Sequence, residues 1–272
     1  MNTRSWFSDR RPLCGQDPFI VTIAGTHYLI ESQAEERIAV SLLSGLQEAS
    51  RLGTTVIWDD PAEHQVWAPE AHRIDGLWYV FYAASDGNND HHRNYVLWAP
   101  AFHGPYERLG RVGPDLWGID LTQFSWKGLR YAVWSGWERK GDQFPQHLYI
   151  ATMHRPGELG ARVRLSSPEF DWERSVAPIN EGPQAWIHQD RLHLFYAANA
   201  SWTPLYSTGL LTLVGDNPLD PAHWAKRPRP VMRNVGHGSV ADDLFVYHRK
   251  MSTFPGWNDR EIRSVPMKEL EL

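Results

Sequence analysis

Residues 76–84 read GLWYVFYAA, a glycine followed by eight residues that are all aromatic, aliphatic or alanine. The run is short and rich in Trp, Tyr, Phe and Val, the types that fit a pleated surface, so it reads as a strand leaving a tight turn. Four similar segments lie outward from it: GTHYLIES from Gly25, GLRYAVWSG from Gly128, DRLHLFYAA from Asp190 and DDLFVYHR from Asp242. Counted from Gly25, Gly76, Gly128, Asp190 and Asp243, the separations are 51, 52, 62 and 53 residues. Another strand-like run precedes each turn, at 18–23, 69–74, 119–125, 183–188 and 237–240, and a third follows each copy, as at 93–98 and 147–153. Fourth runs, such as 54–57 and 162–165, are weaker, and residues 39–51 give the best helix pattern while also fitting a strand and a loop. About four short strands per 50–60 residues, five times over, predict an all-β, five-bladed β-propeller. A β-sandwich is also all-β, but nothing in its architecture demands a repeat of this length. The reading assigns residues 1–272 to a single propeller domain with blades at about 14–60, 64–112, 116–168, 178–228 and 234–272.

Composition narrows the function. The 272 residues carry 27 basic and 32 acidic side chains, a net charge of −5, in no long run. Nucleic-acid and membrane-surface proteins want a basic field, so neither partner is expected. No stretch reaches the 18 or so apolar residues of a membrane-spanning helix. A single cysteine, Cys14, excludes an internal disulfide framework and any four-cysteine zinc site, and it is expected to be packed. Fourteen tryptophans suit β structure or sugar stacking. The first sixteen residues lack the apolar core of a signal peptide. With Met1 as the native start the protein is expected in the cytoplasm, and with a removed leader it is secreted. Oligomeric state is not legible.

In a propeller the first strand of each blade lines the central channel, so equivalent positions face one another across the axis. Asp17 lies eight residues before Gly25, Asp120 eight before Gly128, and Glu181 nine before Asp190. Three carboxylates thus start the innermost strands of blades one, three and four, with His237 near that register in blade five and Trp67 and Glu70 flanking it in blade two. Carboxylates paired across a cavity serve glycoside hydrolysis, one as acid and one as base. A third negative charge nearby keeps the acid protonated. Strand direction places the loops after the second strands, 85–94, 136–146, 199–205 and 250–260, around the same site. They hold Trp137, Phe144, Trp202, Phe254 and Trp257 among polar residues, a lining that suits a sugar ring.

The segments GQDPFI around Asp17, VWAPEAHRIDGLWYVFYAA from Val66, GIDLTQFSWKGLRYAVW around Asp120, INEGPQAWIHQDRLHLFYAA around Glu181 and GHGSV from Gly236 resemble glycoside hydrolase family 43. HRNYVLWA, HLYIATM, SPEFDWE, YSTGLLTL and KRPRPVM most resemble its exo-acting α-L-arabinofuranosidase branch. The resemblance implies that Asp17 is the general base, Glu181 the general acid, and Asp120 the residue that orients Glu181 and raises its pKa. It also implies that Trp67 and Ala68 line the terminal-sugar pocket, with Glu70 beside them, and that Arg263 enters it from the last blade. His237 matches a channel histidine that in some relatives contacts a calcium ion through water; many relatives hold no metal there, and no cofactor is required. The expected substrate is an arabinose-containing oligosaccharide cleaved with inversion. A β-xylosidase of the same fold, or a sugar-binding propeller without catalysis, would share the fold, but a binding module has no need of all three acids.

Other signals are weak. The segment from Asp86 lacks the glycine and glutamate of a calcium loop, having His91 and Leu97 in those places. Adjacent His91 and His92 rarely converge on one zinc ion.

Overall fold

The computed structural model describes residues 13–47, 49–253, 256, 259–270 and 272. These residues form five antiparallel sheets. Blade one is β1 (Phe19–Ile23), β2 (Thr26–Gln33), β3 (Arg37–Leu43) and β4 (Arg51–Asp59). Blade two is β5 (His64–Ile74), β6 (Leu77–Ser85), β7 (Arg93–Ala99) and β8 (Glu107–Val112). Blade three is β9 (Gly118–Trp126), β10 (Leu129–Gly136) and β11 (His147–Arg155), with β12 (Glu158–Leu159) and β13 (Val163–Ser166) both paired to β11. A single helical turn, α1 (Asp171–Arg174), precedes blade four: β14 (Asn180–His188), β15 (Arg191–Ala198), β16 (Ser207–Leu213) and β17 (Trp224–Lys226). Blade five is β18 (Val235–Ala241), β19 (Leu244–Lys250) and β20 (Arg260–Pro266). Of the helical pattern at 39–51, residues 39–43 belong to β3 and Arg51 begins β4, with no helix among the described residues between them.

Four of the five repeated turns are of one kind. Ala24-Gly25, Asp75-Gly76, Lys127-Gly128 and Gln189-Asp190 all have positive φ at both residues, from 48° to 88°. That is the type I′ geometry, whose twist matches that of the strands it joins. Each second strand is then sandwiched between two neighbouring blades. In β6, Val80 and Tyr82 pack towards blade one with Ile30 and Val40, while Phe81 packs towards blade three with Ala132 and Trp134. In β10 the faces split likewise, Tyr131 and Val133 meeting Leu194 and Leu211 of blade four. Burial on both faces explains why these strands read as continuous apolar runs rather than as an alternation. Each such side chain contributes about 1.5–3 kcal/mol, and one apolar cluster fills each blade-to-blade junction.

The ring closes on residues 13–15. Cys14 bridges Glu261 of β20, Ile262 N–H donates to Leu13 O at 2.7 Å, and Gly15 N–H donates to Arg260 O at 3.2 Å. The N-terminal segment therefore supplies the outer pairing that three-stranded blade five would otherwise lack. Leu13 turns into the core with Ile20 and Val246, so its neighbour Cys14 points out and is exposed, not packed as expected. No helix among the described residues is long and apolar enough to cross a membrane.

Candidate active site

Every innermost strand carries a residue with positive φ near its start: Asp17 (47°), Ala68 (42°), Asp120 (58°), Gly182 (52°) and His237 (45°). In blades two to five the ladder slips at that point, a bulge that re-aims the side chain into the channel. Left-handed backbone costs a non-glycine residue of order 1–3 kcal/mol and persists only where surrounding structure holds it. The register differs from the sequence expectation in one place. The blade-four counterpart of Asp17 and Asp120 is Gly182, and Glu181 precedes it. Its side chain, one methylene longer, enters the site from a neighbouring position.

Gly182 is needed for two reasons. Its φ is left-handed, and a Cβ there would lie 2.7 Å from His237 Cγ. The ring of His237 thus packs flat against the glycine backbone. Gly182 N–H donates to Asp120 Oδ2 at 2.9 Å, which ties blade four to blade three at the site. His237 Nδ1 lies 3.2 Å from Asp17 Oδ1 and 3.8 Å from Asp120 Oδ2. Burial works against a charge on this imidazole, yet Asp17, Asp120 and Glu181 outweigh it and hold its pKa above the ordinary value. Asp17 is fixed from below as well, its N–H donating to His248 Nδ1 at 3.0 Å. Because that nitrogen accepts, His248 is the neutral Nε2–H tautomer, and burial together with Arg260 and His237 keeps its pKa well below normal.

The carboxylates separate in acidity. Burial, then the neighbouring charge of Asp120, pushes Glu181 up to about 8. Asp120 is also raised by burial, but His237 and the Gly182 amide favour its ionised form and leave it near 6. Both carboxyl groups are therefore held above the ordinary carboxylate range, and the pair favours a bound proton. Two carboxyl groups with acidities pushed apart mark the division between a proton donor and its electrostatic partner. Tyr206 O–H donates to Glu181 Oε1 at 2.9 Å.

Asp17, Asp120, Glu181, His237 and Trp67 all line one cavity of about 540 Å³. Of the loop aromatics expected around it, Trp137, Phe144 and Trp202 contribute to the wall, while Phe254 and Trp257 lie outside the described residues. Trp67 stacks on buried His92 with ring centroids 3.9 Å apart, and its indole N–H donates to Glu35 Oε2 at 3.1 Å. Trp117 and Trp137 stack at 4.6 Å with an interplanar angle of 5°. The histidine pair diverges: His91 contacts Asp86, while both ring nitrogens of His92 face the carbonyls of Asn89 and Gln65.

Three expected residues sit elsewhere. Ala68 is buried at the blade-two kink and does not reach the cavity surface. Glu70 lies off the cavity, its carboxylate 2.9 Å from His72 Nε2. Arg263 is also off the cavity, with its guanidinium on Glu261 Oε2 at 2.9 Å. The arginine from the last blade is Arg260, which donates to Gln16 Oε1 and Ser201 O, each at 2.8 Å, and lines the cavity. Glu35 and Trp117 were also missed. Glu35 belongs to the short turn after the second strand of blade one, the same class of loop that supplies Trp137 and Trp202, so strand direction could have found it.

Calcium takes six to eight oxygen ligands, and among the described residues no group of three or more His, Cys, Asp and Glu side chains is placed to hold a metal. His237 Nδ1 is already directed at two carboxylates.

A propeller whose channel mouth holds a buried glutamate and two aspartates among stacked tryptophans has counterparts among known proteins. The chain is 34% identical to an extracellular exo-α-(1→5)-L-arabinofuranosidase of Streptomyces chartreusis, over 86% of this chain and 79% of that protein. It is 32% identical to α-L-arabinofuranosidase 43 of Humicola insolens, over 85% of this chain and 54% of that one. The crystal structure of an α-L-arabinofuranosidase from Lactobacillus brevis superposes with a TM-score of 0.82 at 28% identity, covering 93% of this chain and 90% of that chain. The sequence profile of glycosyl hydrolases family 43 matches residues 12–262, and the chain, a glycoside hydrolase, belongs to that family.

Proposed function

We propose that the protein is an inverting, exo-acting α-L-arabinofuranosidase that releases terminal arabinofuranose from arabino-oligosaccharides. The observation that carries this reading is the convergence of Asp17, Asp120 and buried Glu181 on one cavity walled by Trp67, Trp117 and Trp137. Choice of sugar and of chain-end action rests on the names of the relatives above.

In this mechanism Asp17 takes a proton from a water, and the water oxygen bonds to the anomeric carbon as the bond to the leaving oxygen breaks. Glu181 gives its proton to that oxygen. His237 holds the Asp17 carboxylate in place, and Asp120 keeps Glu181 protonated while fixing the Gly182 amide beside it. Asp17 and Glu181 come from blades one and four, so their carboxyl groups are expected about 6.5–9.5 Å apart, with room for the water, rather than at the roughly 5–5.5 Å of retaining enzymes. An ion held through water beside His237 would support this geometry without joining bond cleavage. The extracellular naming of the Streptomyces relative favours the secreted alternative over the cytoplasmic one.

The test follows the products. Linear α-1,5-arabino-oligosaccharides should lose single arabinose units from one end, and the anomeric proton signal in the first minutes should be that of the β-anomer. Faster release from a nitrophenyl β-xyloside than from the α-L-arabinofuranoside would give the β-xylosidase reading instead. Binding of these sugars with no release would leave a sugar-binding propeller. Initial release of the α-anomer would overturn inversion.

A further inference from the structure

We infer that Tyr206 is the positioning residue of the proton donor: its hydroxyl occupies Glu181 Oε1 and so fixes the transferable proton on Oε2. The inference rests on Glu181 being the general acid. A protonated carboxyl group has one O–H and one oxygen that only accepts. Tyr206 O–H reaches Oε1 at 2.9 Å. An oxygen that accepts this bond is the carbonyl-like one, which leaves the proton to its twin.

The surroundings are built to hold the phenol there. Tyr206 is 3% exposed. Its ring stacks on His248 at 5.6 Å and 14°, and His248 in turn accepts from the Asp17 amide. On the other side Gly236 makes room, since a Cβ there would stand 2.5 Å from Tyr206 Cε1. Burial and the charge of Glu181 keep the phenol far above its ordinary pKa of 10, so it remains a donor wherever the enzyme works. The other groups that act on Glu181 are Asp120, His237 and Asp17, from blades three, five and one. Asp120 is spoken for by the Gly182 amide. Tyr206 is thus the neutral donor in a ring of charged neighbours.

The experiment compares Tyr206→Phe with the parent on an arabino-oligosaccharide, whose leaving group is poor, and on an activated aryl arabinofuranoside. Loss of a hydrogen bond to an ionisable group should lower kcat on the oligosaccharide about 10- to 100-fold. The aryl substrate, which needs little protonation, should change far less, and KM should barely move. Removing a donor that favours the ionised carboxyl should also shift the basic limb of the pH profile upward, by about one unit. Gly236→Ala keeps the hydroxyl but displaces the ring, and should give the same leaving-group-dependent loss with an intact circular dichroism spectrum. Equal losses on both substrates, an unmoved basic limb, or a fully active Gly236→Ala would overturn the inference. Glu181→Ala separates the two claims: if it shows no leaving-group dependence, the acid assignment itself falls, and if it does while Tyr206→Phe does not, only the role of Tyr206 falls.

Discussion

Replacing Gly182 by alanine should damage both stability and turnover, by an amount the site geometry sets. The backbone there has φ of 52°, which costs an L-residue roughly 1–2 kcal/mol. The new methyl would lie 2.7 Å from His237 Cγ and 3.0 Å from both Cδ2 and Nδ1, well inside contact distance. Overpacking of this kind typically costs about 1–3 kcal/mol. Reduced freedom of the unfolded chain returns only about 0.4–1 kcal/mol. The net is about 1–4.5 kcal/mol, or roughly 2–18 °C in Tm for a chain of this size. Thermal unfolding followed by circular dichroism measures that loss, and kcat should fall with it because the displaced imidazole is the one directed at Asp17. Gly182→Asn separates the two causes, since asparagine tolerates left-handed backbone but still brings a Cβ. It should be nearly as harmful as alanine. A Gly182→Ala enzyme with parental Tm and kcat would refute the close approach; a Gly182→Asn enzyme with parental values would reduce the effect to backbone strain.

Glu181→Ala should lose about 10²–10⁴-fold on poor leaving groups and far less on activated aryl glycosides, whereas Asp17→Ala should fail on both; equal losses for Glu181→Ala would count against the acid role. Stability should also depend on Glu181: its folded pKa of about 8 lies above the ordinary 4.5. The native state therefore keeps a proton that the unfolded chain has released, and the stability this contributes is complete below 4.5 and lost as pH rises through 8. Glu181→Gln, which does not titrate, should gain in Tm on the parent from about pH 5 to about pH 9, and a pH-independent difference would contradict the burial argument. Chelation of divalent ions should leave bond cleavage running, because a histidine without an oxygen cage holds an ion only through water; complete loss of activity with the fold intact would place the ion in the chemistry.

The fold was legible because the propeller repeats its signal. Each second strand is buried by two blades at once, so GLWYVFYAA and its copies stand out as apolar-rich runs, and four of the five turns before them are type I′. The site was legible to the extent that it follows that register. Asp17 and Asp120 do, at eight residues before their turns. Glu181 does not, because the blade-four kink falls on Gly182, and a backbone angle leaves no mark in a pattern of apolar residues. That Arg260 and not Arg263 lines the cavity was hidden for a related reason. On β20 these residues lie three positions apart, on opposite faces of the strand, and only the bond from Arg260 to Gln16, next to the ring-closing segment, shows which one turns inward. Tyr206 was visible as part of YSTGLLTL but carried no signal of its own, since its role depends on the missing side chain of Gly236, a contact far along the chain.

Closure of the ring and placement of Asp17, the proposed general base, depend on the same contacts. From Leu13 to Ile20 the chain is tied repeatedly to blade five: Leu13 O to Ile262 N–H, Gly15 N–H to Arg260 O, Gln16 to the Arg260 guanidinium, the Asp17 amide to His248, and the Ile20 amide to Ser239 Oγ at 3.2 Å. Asp17 is held in left-handed backbone by this seam, not by its own strand alone. The seam rests on an isolated bridge and a smaller apolar cluster, and segments with fewer buried contacts open at lower free energy than core strands. Blades two to four are joined by larger apolar clusters and do not need the seam to persist. Increasing denaturant should therefore abolish activity before the bulk far-ultraviolet signal is lost, with hydrogen exchange at the amides of Gly15, Asp17 and Ile262 rising in the same interval. If activity and the circular dichroism signal disappear together, and these amides exchange only with global unfolding, the seam is as stable as the ring and the base is not held at its weakest point.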